Sequence, residues 1–355
     1  MQSTNKTSSP PRQATLRDVA KASGVGIATV SRVLNKSPLV AQETADRIRE
    51  VMEKLGYKAS PPEKRRGKPK KISSIKHRAV GILFLGGRSL KWIINCAPIY
   101  AYAINGAEAA LNSMGINCVI RNVSTRAEAE ALAQLNVDGF LLLGDQQWGD
   151  WPSGVATIPG VKMFRSAAPE WYDCITYNNE TTGKLAADYL FQQGSQCAAI
   201  IGSRAGVFAQ RIQSFSRRME ELGGSVMNLT QTDAIRVMSD MNAADQNVID
   251  SLVDKMLDGG EKPKGLFVTS DVITPAVYQS LARRGIKPGQ DIAVVSCNNE
   301  KPYLLPLHPR PAVVDIQAET IGRQAIERLL WRIDHPNAPR MTLVMEPKLL
   351  LPDEV

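Results

Sequence analysis

Thr15-Leu16-Arg17-Asp18-Val19-Ala20-Lys21-Ala22-Ser23-Gly24-Val25-Gly26-Ile27-Ala28-Thr29-Val30-Ser31-Arg32-Val33-Leu34-Asn35 spells two short helices joined by a glycine turn. Thr15 is placed to cap the first helix, and Asp18 stands where the acid of a capping box belongs. Leu16, Val19 and Ala20 follow at helical spacing and form one apolar face. Gly24 supplies a residue that tolerates the positive φ of a tight turn between helices. The second helix buries Val30 and Val33 or Leu34, which leaves Thr29, Ser31 and Arg32 on its other side. A third helix is expected from about Gln42 to Leu55, with Ile48, Val51, Met52 and Leu55 facing the pair and Gly56 as its stop. This pattern is a helix-turn-helix, which places one helix in the DNA major groove.

A small three-helix domain with a merely solvated polar face would show the same apolar pattern. The charge distribution argues against it. Residues 1–78 hold 18 Lys/Arg against 6 Asp/Glu, a balance of +12, while residues 79–355 hold 25 against 29, a balance of −4. The net charge of +8 therefore hides a basic head on a slightly acidic body. That asymmetry is the electrostatic footprint of a nucleic-acid-binding module.

Thr15 to Ala20, Gly24-Val25, Thr29 to Asn35 and Leu55-Gly56-Tyr57 resemble the head of the LacI/GalR family of transcriptional regulators. The run from Thr29 to Asn35 is the most specific part, and a weaker likeness extends over nearly the whole chain. The resemblance implies that Ile27 and Ala28 stand where the family reads bases. Both are apolar and suit a thymine methyl better than a bidentate hydrogen bond. Arg32 is the candidate for a base or phosphate contact, Thr15, Thr29, Ser31 and Asn35 are candidates for phosphates, and Arg17 joins the DNA-facing set.

The linker departs from the family. After Tyr57 the family has a Pro-Asn pair and then Ala-Arg-x-Leu, a hinge helix whose Leu wedges into the minor groove. Here the chain runs Lys58-Ala59-Ser60-Pro61-Pro62-Glu63-Lys64-Arg65-Arg66-Gly67-Lys68-Pro69-Lys70-Lys71, with no Leu at the wedge position. Gly67 and Pro69 would break a long helix. We read residues 61–78 as a flexible or partly extended basic linker in which Arg65 and Arg66 track phosphate or enter a narrow minor groove. A solvated linker with no DNA contact is the alternative.

The chain has 355 residues, room for two or three compact units. Five scattered cysteines (Cys96, Cys118, Cys174, Cys197 and Cys297) form no C-x-x-C pair and read as free thiols of a reducing compartment. Residues 1–13 are polar, without the apolar stretch of a signal peptide, and read as a disordered tail. No apolar run reaches membrane-spanning length, so the expectation is a bacterial cytoplasmic protein that is nucleoid-associated when bound to DNA.

From residue 79 onward, apolar strand-like runs alternate with amphipathic helical patterns, the signature of doubly wound parallel sheets covered on both faces. There are strands enough for two such sheets and a cleft between them. The expected fold is an all-α helix-turn-helix head at 14–60 followed by an α/β body at 79–355. The resemblance implies a periplasmic-binding-protein-like type I sensor, with one subdomain at about 79–177 and 303–333 and a second at about 178–302 and 340–355.

The family's ligand contacts, carried over by position, fall on Arg211, Ser270, Asp271, Asn298, Phe164 and Tyr100. Arg211 matches the cleft arginine, able to donate two hydrogen bonds to hydroxyls or a carboxylate. Asp271 matches the acid of an Asn-Asp pair whose Asn is here Ser270, and it also reads as a helix cap. Asn298 and Phe164 replace two common cleft aspartates, so a flatter and less acidic pocket is expected, with Phe164, Tyr100 and Trp148 available to stack on a ring. Asn179 reads as a crossover or capping residue.

Only three histidines are present, and there is no Gly-x-Ser-x-Gly elbow, His-Glu-x-x-His pair or Walker loop, so neither catalysis, a cofactor nor a metal site is expected. The sequence therefore reads as a transcriptional repressor, a homodimer on a pseudo-palindromic double-stranded DNA operator, switched by a small-molecule effector such as a sugar or sugar derivative. The competing readings are a constitutive DNA binder with a ligand-free cleft and an α/β enzyme carrying a DNA-binding head.

Overall fold

The computed structural model describes residues 14–34, 40–57, 75–86, 98–144, 149–164, 172–204, 206, 208–231, 243–260 and 262–355. Of Ala28 and Ser31 only the backbone is described. Asn35, Arg65, Arg66, Trp148, Cys96 and most of the linker lie outside the described residues. The chain divides into two units, Met1–Lys71 and Ile72–Val355.

The first unit holds α1 (Leu16–Ser23), α2 (Ile27–Leu34) and α3 (Gln42–Lys54). The capping box at the start of α1 is formed: the Thr15 amide donates to Asp18 Oδ2 at 2.8 Å, and the Asp18 amide donates back to the Thr15 hydroxyl at 3.4 Å. Gly24 ends α1 in the left-handed region, with φ of 67°. Val19, Val30 and Ile48 have no exposed surface and make the centre of the unit. Leu55, expected in this core, is 40% exposed; Tyr57 packs there instead, because α3 stops a residue earlier and Leu55 lies on its open end.

The second unit holds two six-stranded sheets. The first contains β1 (Ala79–Leu85), β2 (Asn117–Val123), β3 (Gly139–Gly144), β4 (Gly160–Met163) and β5 (Asp173–Tyr177). It is flanked by α4 (Pro98–Ser113), α5 (Arg126–Ala131) and α6 (Ser153–Ala156). The second contains β6 (Cys197–Ser203), β7 (Ser225–Gln231), β8 (Gly265–Val268) and β9 (Ala293–Cys297). Its helices are α7 (Asn179–Gln192), α8 (Phe208–Glu221), α9 (Ala243–Asp258), α10 (Thr274–Arg283) and α11 (Lys301–Leu304). The chain ends with β10 (Ala312–Asp315), α12 (Ala318–Asp334), β11 (Thr342–Met345) and β12 (Lys348–Leu350).

The strand order is β11-β5-β4-β3-β1-β2 in the first sheet and β12-β10-β9-β8-β6-β7 in the second. Among the described residues every strand pairing is parallel except that of β10 with β12. A parallel strand covered on both faces must be apolar throughout. In β1 all seven residues are buried; Val80, Ile82 and Phe84 face one layer, and Leu83 and Leu85 the other. Cys118, Cys174, Cys197 and Cys297 are not joined in disulfides.

The expected assignment of the last 50 residues to the two subdomains is corrected. β10 was expected with the first subdomain and lies in the second sheet, whereas β11 was expected with the second and lies in the first. What reads as one terminal strand is two, split at Glu346-Pro347. Pro347 has no N–H to give to a ladder, and the chain changes sheets there. Apolar spacing marks a strand but does not say which sheet receives it. Between the sheets the chain passes three times, at 178, 316–317 and 346–347. α12 itself packs on α4 and on the first sheet, as expected.

Asp173 anchors α12. Its carboxylate accepts Arg328 Nε at 2.6 Å, Arg332 Nε at 3.0 Å and Arg332 Nη2 at 2.8 Å, and it also accepts the Met341 amide that leads into β11. Burial pushes this carboxyl up, but Arg332, Arg328 and the Met341 amide together outweigh burial and hold it below its ordinary value.

Candidate functional site

In the head, α2 turns Val30 and Val33 inward and presents Ile27 and Arg32 to solvent. Ile27 opens the helix at 46% exposure, high for an isoleucine, and its place at the amino end is where a recognition helix meets base edges. Thr29 is half-buried and Arg17 exposed. The Thr15 hydroxyl is taken by Asp18 Oδ2 at 2.6 Å, so a phosphate would have to share it.

In the body, Phe164, Tyr177, Thr269 and Asn298 follow or end parallel strands β4, β5, β8 and β9 at their carboxyl ends. That is where ligands of open α/β sheets bind. Arg211, on α8, is 1% exposed and lies at the centre. Its Nε donates to Asn179 Oδ1 at 2.7 Å, Nη1 to the Thr269 carbonyl at 2.9 Å and Nη2 to Asn298 Oδ1 at 3.1 Å. Its guanidinium also lies over the rings of Tyr177 and Phe208, at 5.2 and 5.4 Å. These donors were expected to serve a ligand; they are taken by the protein.

Asp271 has no exposed surface. It does not cap its own helical turn. Oδ2 accepts the Glu300 amide at 2.7 Å, and Oδ1 takes the Ser296 hydroxyl. Burial, with Glu300 nearby, holds the Asp271 carboxyl up at about 8. Ser270 is 2% exposed, and its carbonyl receives the Ile273 amide and the Thr274 hydroxyl, which makes it the start of that turn.

Phe164 is 8% exposed and sits in the left-handed region at φ of 70°. Tyr100 meets it edge-on at 5.5 Å and Tyr177 at 6.3 Å. All the expected residues except Ser270 thus join one chain of contacts, Tyr100–Phe164–Tyr177–Arg211–Asn298, to which Asp271 is tied through Glu300. The rings pack on each other, whereas they were expected to stand ready to stack on a ligand. A recess of about 250 Å³ opens beside this cluster, lined by Tyr102, Asn298, Asn299, Lys301, Gln317 and Lys348 among others.

Sequence reading missed Glu300, which is 1% exposed. Oε1 accepts the Ile99 amide at 3.0 Å and Oε2 the Asn298 side-chain amide at 3.1 Å. Burial pushes its carboxyl up. Two carboxyls, Asp271 and Glu300, are thus buried in the cluster, the second three residues after the end of β9. Asn179 is corrected. Asn178 is the cap, accepting the Thr181 amide at 3.1 Å, and Asn179 holds Arg211. An acid directly behind an apolar strand end, at Glu300, was the available signal.

No group of metal-ligating side chains is found among the described residues, and no described helix is long and apolar enough to cross a membrane. Two family models match the chain: bacterial regulatory proteins of the lacI family over residues 15–60, and a periplasmic binding protein-like domain over residues 187–351. The chain is 26% identical over 352 residues to the HTH-type transcriptional repressor PurR of Vibrio cholerae, covering 96% of this chain and 98% of that protein. It is 25% identical over 347 residues to the ribose operon repressor of Escherichia coli K12, covering 95% and 98%. Its fold is like that of the transcriptional regulator CelR in complex with cellobiose, with a TM-score of 0.61, 23% identity and coverage of 95% and 98%. It is also like the lac repressor dimer bound to operator and the anti-inducer ONPF, with a TM-score of 0.58, 17% identity and coverage of 96% and 98%.

Proposed function

We propose that the chain is a transcriptional repressor of the lacI type, which binds a pseudo-palindromic operator as a homodimer and is controlled by a small molecule in the interlobe cleft; the match of residues 15–60 to the lacI-family model and of 187–351 to a periplasmic binding protein-like domain supports this. The observation that carries this is α2: one face is sealed in the head's core, while Ile27 and Arg32 stand free at its outer face. Ile27, Ala28 and Arg32 read bases, and Arg17, Thr15, Thr29, Ser31 and Asn35 hold phosphate. Arg65 and Arg66 add sequence-independent attraction. The protein works in the bacterial cytoplasm and needs no cofactor or catalytic step.

The effector class is a sugar or sugar derivative. A structural neighbour in complex with cellobiose and a relative named for the ribose operon support this. The contacts proposed are Tyr100, Phe164, Arg211, Ser270, Asp271 and Asn298. An effector in the cleft changes how the two lobes are held and shifts the linker, with a coupling of about 1–3 kcal/mol between effector and DNA.

A second reading, constitutive DNA binding, is favoured by one observation: Phe164 packs between Tyr100 and Tyr177 while Arg211 is spent on protein acceptors. The test is operator selection from random duplexes with the full chain, followed by titration of the selected duplex in the presence of a panel of sugars and purines. A palindromic site whose affinity shifts at least tenfold with one compound supports the switch. A palindrome indifferent to every compound supports constitutive binding, and no enrichment at all refutes both.

A further inference from the structure

Glu300 belongs to the second lobe: it follows β9 and precedes α11, which packs on α10. Its carboxylate leaves that lobe. Oε1 accepts the amide of Ile99, the second residue of α4, and α4 packs on the first lobe's α12 and β2. A helix start offers unbonded N–H groups and a partial positive charge, which an anion satisfies. The other oxygen, Oε2, is held inside the second lobe by Asn298 Nδ2, and Asn298 Oδ1 in turn accepts Arg211 Nη2. The backbone is pinned as well, since the Glu300 amide donates to buried Asp271.

We infer that Glu300 is a tethered occupant of the cleft, a built-in carboxylate that joins the amino end of α4 in one lobe to Asn298 and Arg211 in the other and holds the lobes together without a small molecule. Three properties make it a clasp and distinguish it from an ordinary surface contact. It is 1% exposed, so water does not compete for its oxygens. Both oxygens are engaged, one in each lobe. The residue is rooted by its own backbone, so opening the lobes must break the Ile99 bond while the rest of the cluster stays in place. A small molecule that enters here must displace the carboxylate or bind alongside it. The inference concerns closure of the body alone and stands whichever effector the cleft takes.

The geometry also orders the substitutions. Glu300→Ala removes both bonds and leaves a carboxylate-sized gap between Ile99 and Asn298. Glu300→Gln keeps an acceptor for Ile99 but sets an NH₂ group against Asn298 Nδ2, donor against donor. Asn298 cannot turn its amide over without losing Arg211, so the glutamine variant should be intermediate.

The experiment is amide hydrogen exchange on the full chain, comparing Ile99 with Leu141 in β3 and Ile200 in β6 as reporters of each lobe's interior. In Glu300→Ala, exchange at Ile99 should rise about ten- to hundredfold, as for loss of a hydrogen bond to a charged group, with Leu141 and Ile200 unchanged. Sodium acetate should slow it again by filling the gap, and sodium chloride at equal ionic strength should not. Unchanged exchange at Ile99 overturns the clasp. An equal rise at all three amides, in both the alanine and the glutamine variants, makes Glu300 a general stabiliser and overturns it too. So does a local rise that acetate and chloride affect alike.

Discussion

Replacing Arg211 with Ala should destabilise the body itself, in addition to any effect on a ligand. The side chain is 1% exposed and donates to three acceptors, Asn179 Oδ1, the Thr269 carbonyl and Asn298 Oδ1, at 2.7 to 3.1 Å. Its positive charge also opposes the upward push on the buried carboxyls of Asp271 and Glu300. Leaving one buried acceptor without its donor costs about 1–3 kcal/mol. Water entering the void left by the guanidinium would re-satisfy part of that loss, so the net cost should be about 3–5 kcal/mol, as for breaking a buried ion cluster by removing one member. All five tryptophans lie beyond residue 90, so tryptophan fluorescence in a urea titration follows the body without interference from the head. The midpoint should fall with the slope unchanged. A shift of under about 1 kcal/mol would refute the reasoning: Arg211 would then be a side chain held in reserve for a ligand, with its bonds to the protein of little consequence. The same result would restore Arg211→Ala as a clean test of effector binding, which on the present geometry it is not.

Further outcomes are expected. Gly183→Ala would bring a Cβ to 2.1 Å from Ser214 Oγ and 2.3 Å from the Arg211 carbonyl, forcing α7 and α8 apart at a cost of about 1–3 kcal/mol or more; an unchanged melting temperature would contradict that close approach. Asp173→Asn should cost about 3–5 kcal/mol, because two buried arginines lose their anion; urea midpoints within error of the parent would contradict it. Asp271 keeps a proton up to about pH 8 when folded but only to about 4 when unfolded, so over that window the folded state binds more protons. Stability of the body should therefore fall as pH rises from about 4 to about 8, by at most about 1.4 kcal/mol per pH unit for this group, and level off above. Asp271→Asn should remove that share of the slope, whereas Asp173, held low, acts only on the acid side. Arg32→Ala should weaken operator binding by about 1–3 kcal/mol and relax its specificity, and deleting residues 62–71 should flatten the salt dependence; binding isotherms at several salt concentrations read both.

Much of the fold was legible because its signals are local. Thr15 and Asp18 announce a capping box within four residues, and Ala79–Leu85 is apolar at every position but one because both faces of β1 are covered. What escaped depends on neighbours that a linear pattern does not name. β7 (Ser225–Gln231) is an edge strand with half-exposed residues and lacks the continuous apolar run. β11 and β12 look like one strand until Pro347 is seen to send them to different sheets. At the site, family positions pointed to Arg211, Asp271 and Asn298, which do converge. Glu300 was passed over because a charged residue after a strand reads first as loop, and only the folded chain shows the Ile99 amide that it accepts. Phe164 gave no hint of its positive φ, a conformation rare for a bulky side chain.

The crossing at Glu346-Pro347 bears on the order of assembly. β11 pairs with β5 and closes one side of the first sheet, and β12 pairs with β10 and closes one side of the second. Until residues 342–350 are in place, both sheets present an open edge, with unpaired N–H and carbonyl groups along β5 and β10. A growing chain can collapse around each core but can finish neither before this short tail arrives. The two lobes are thereby completed in one event, and a nascent or truncated body carries two sticky edges for chaperones or like chains to bind.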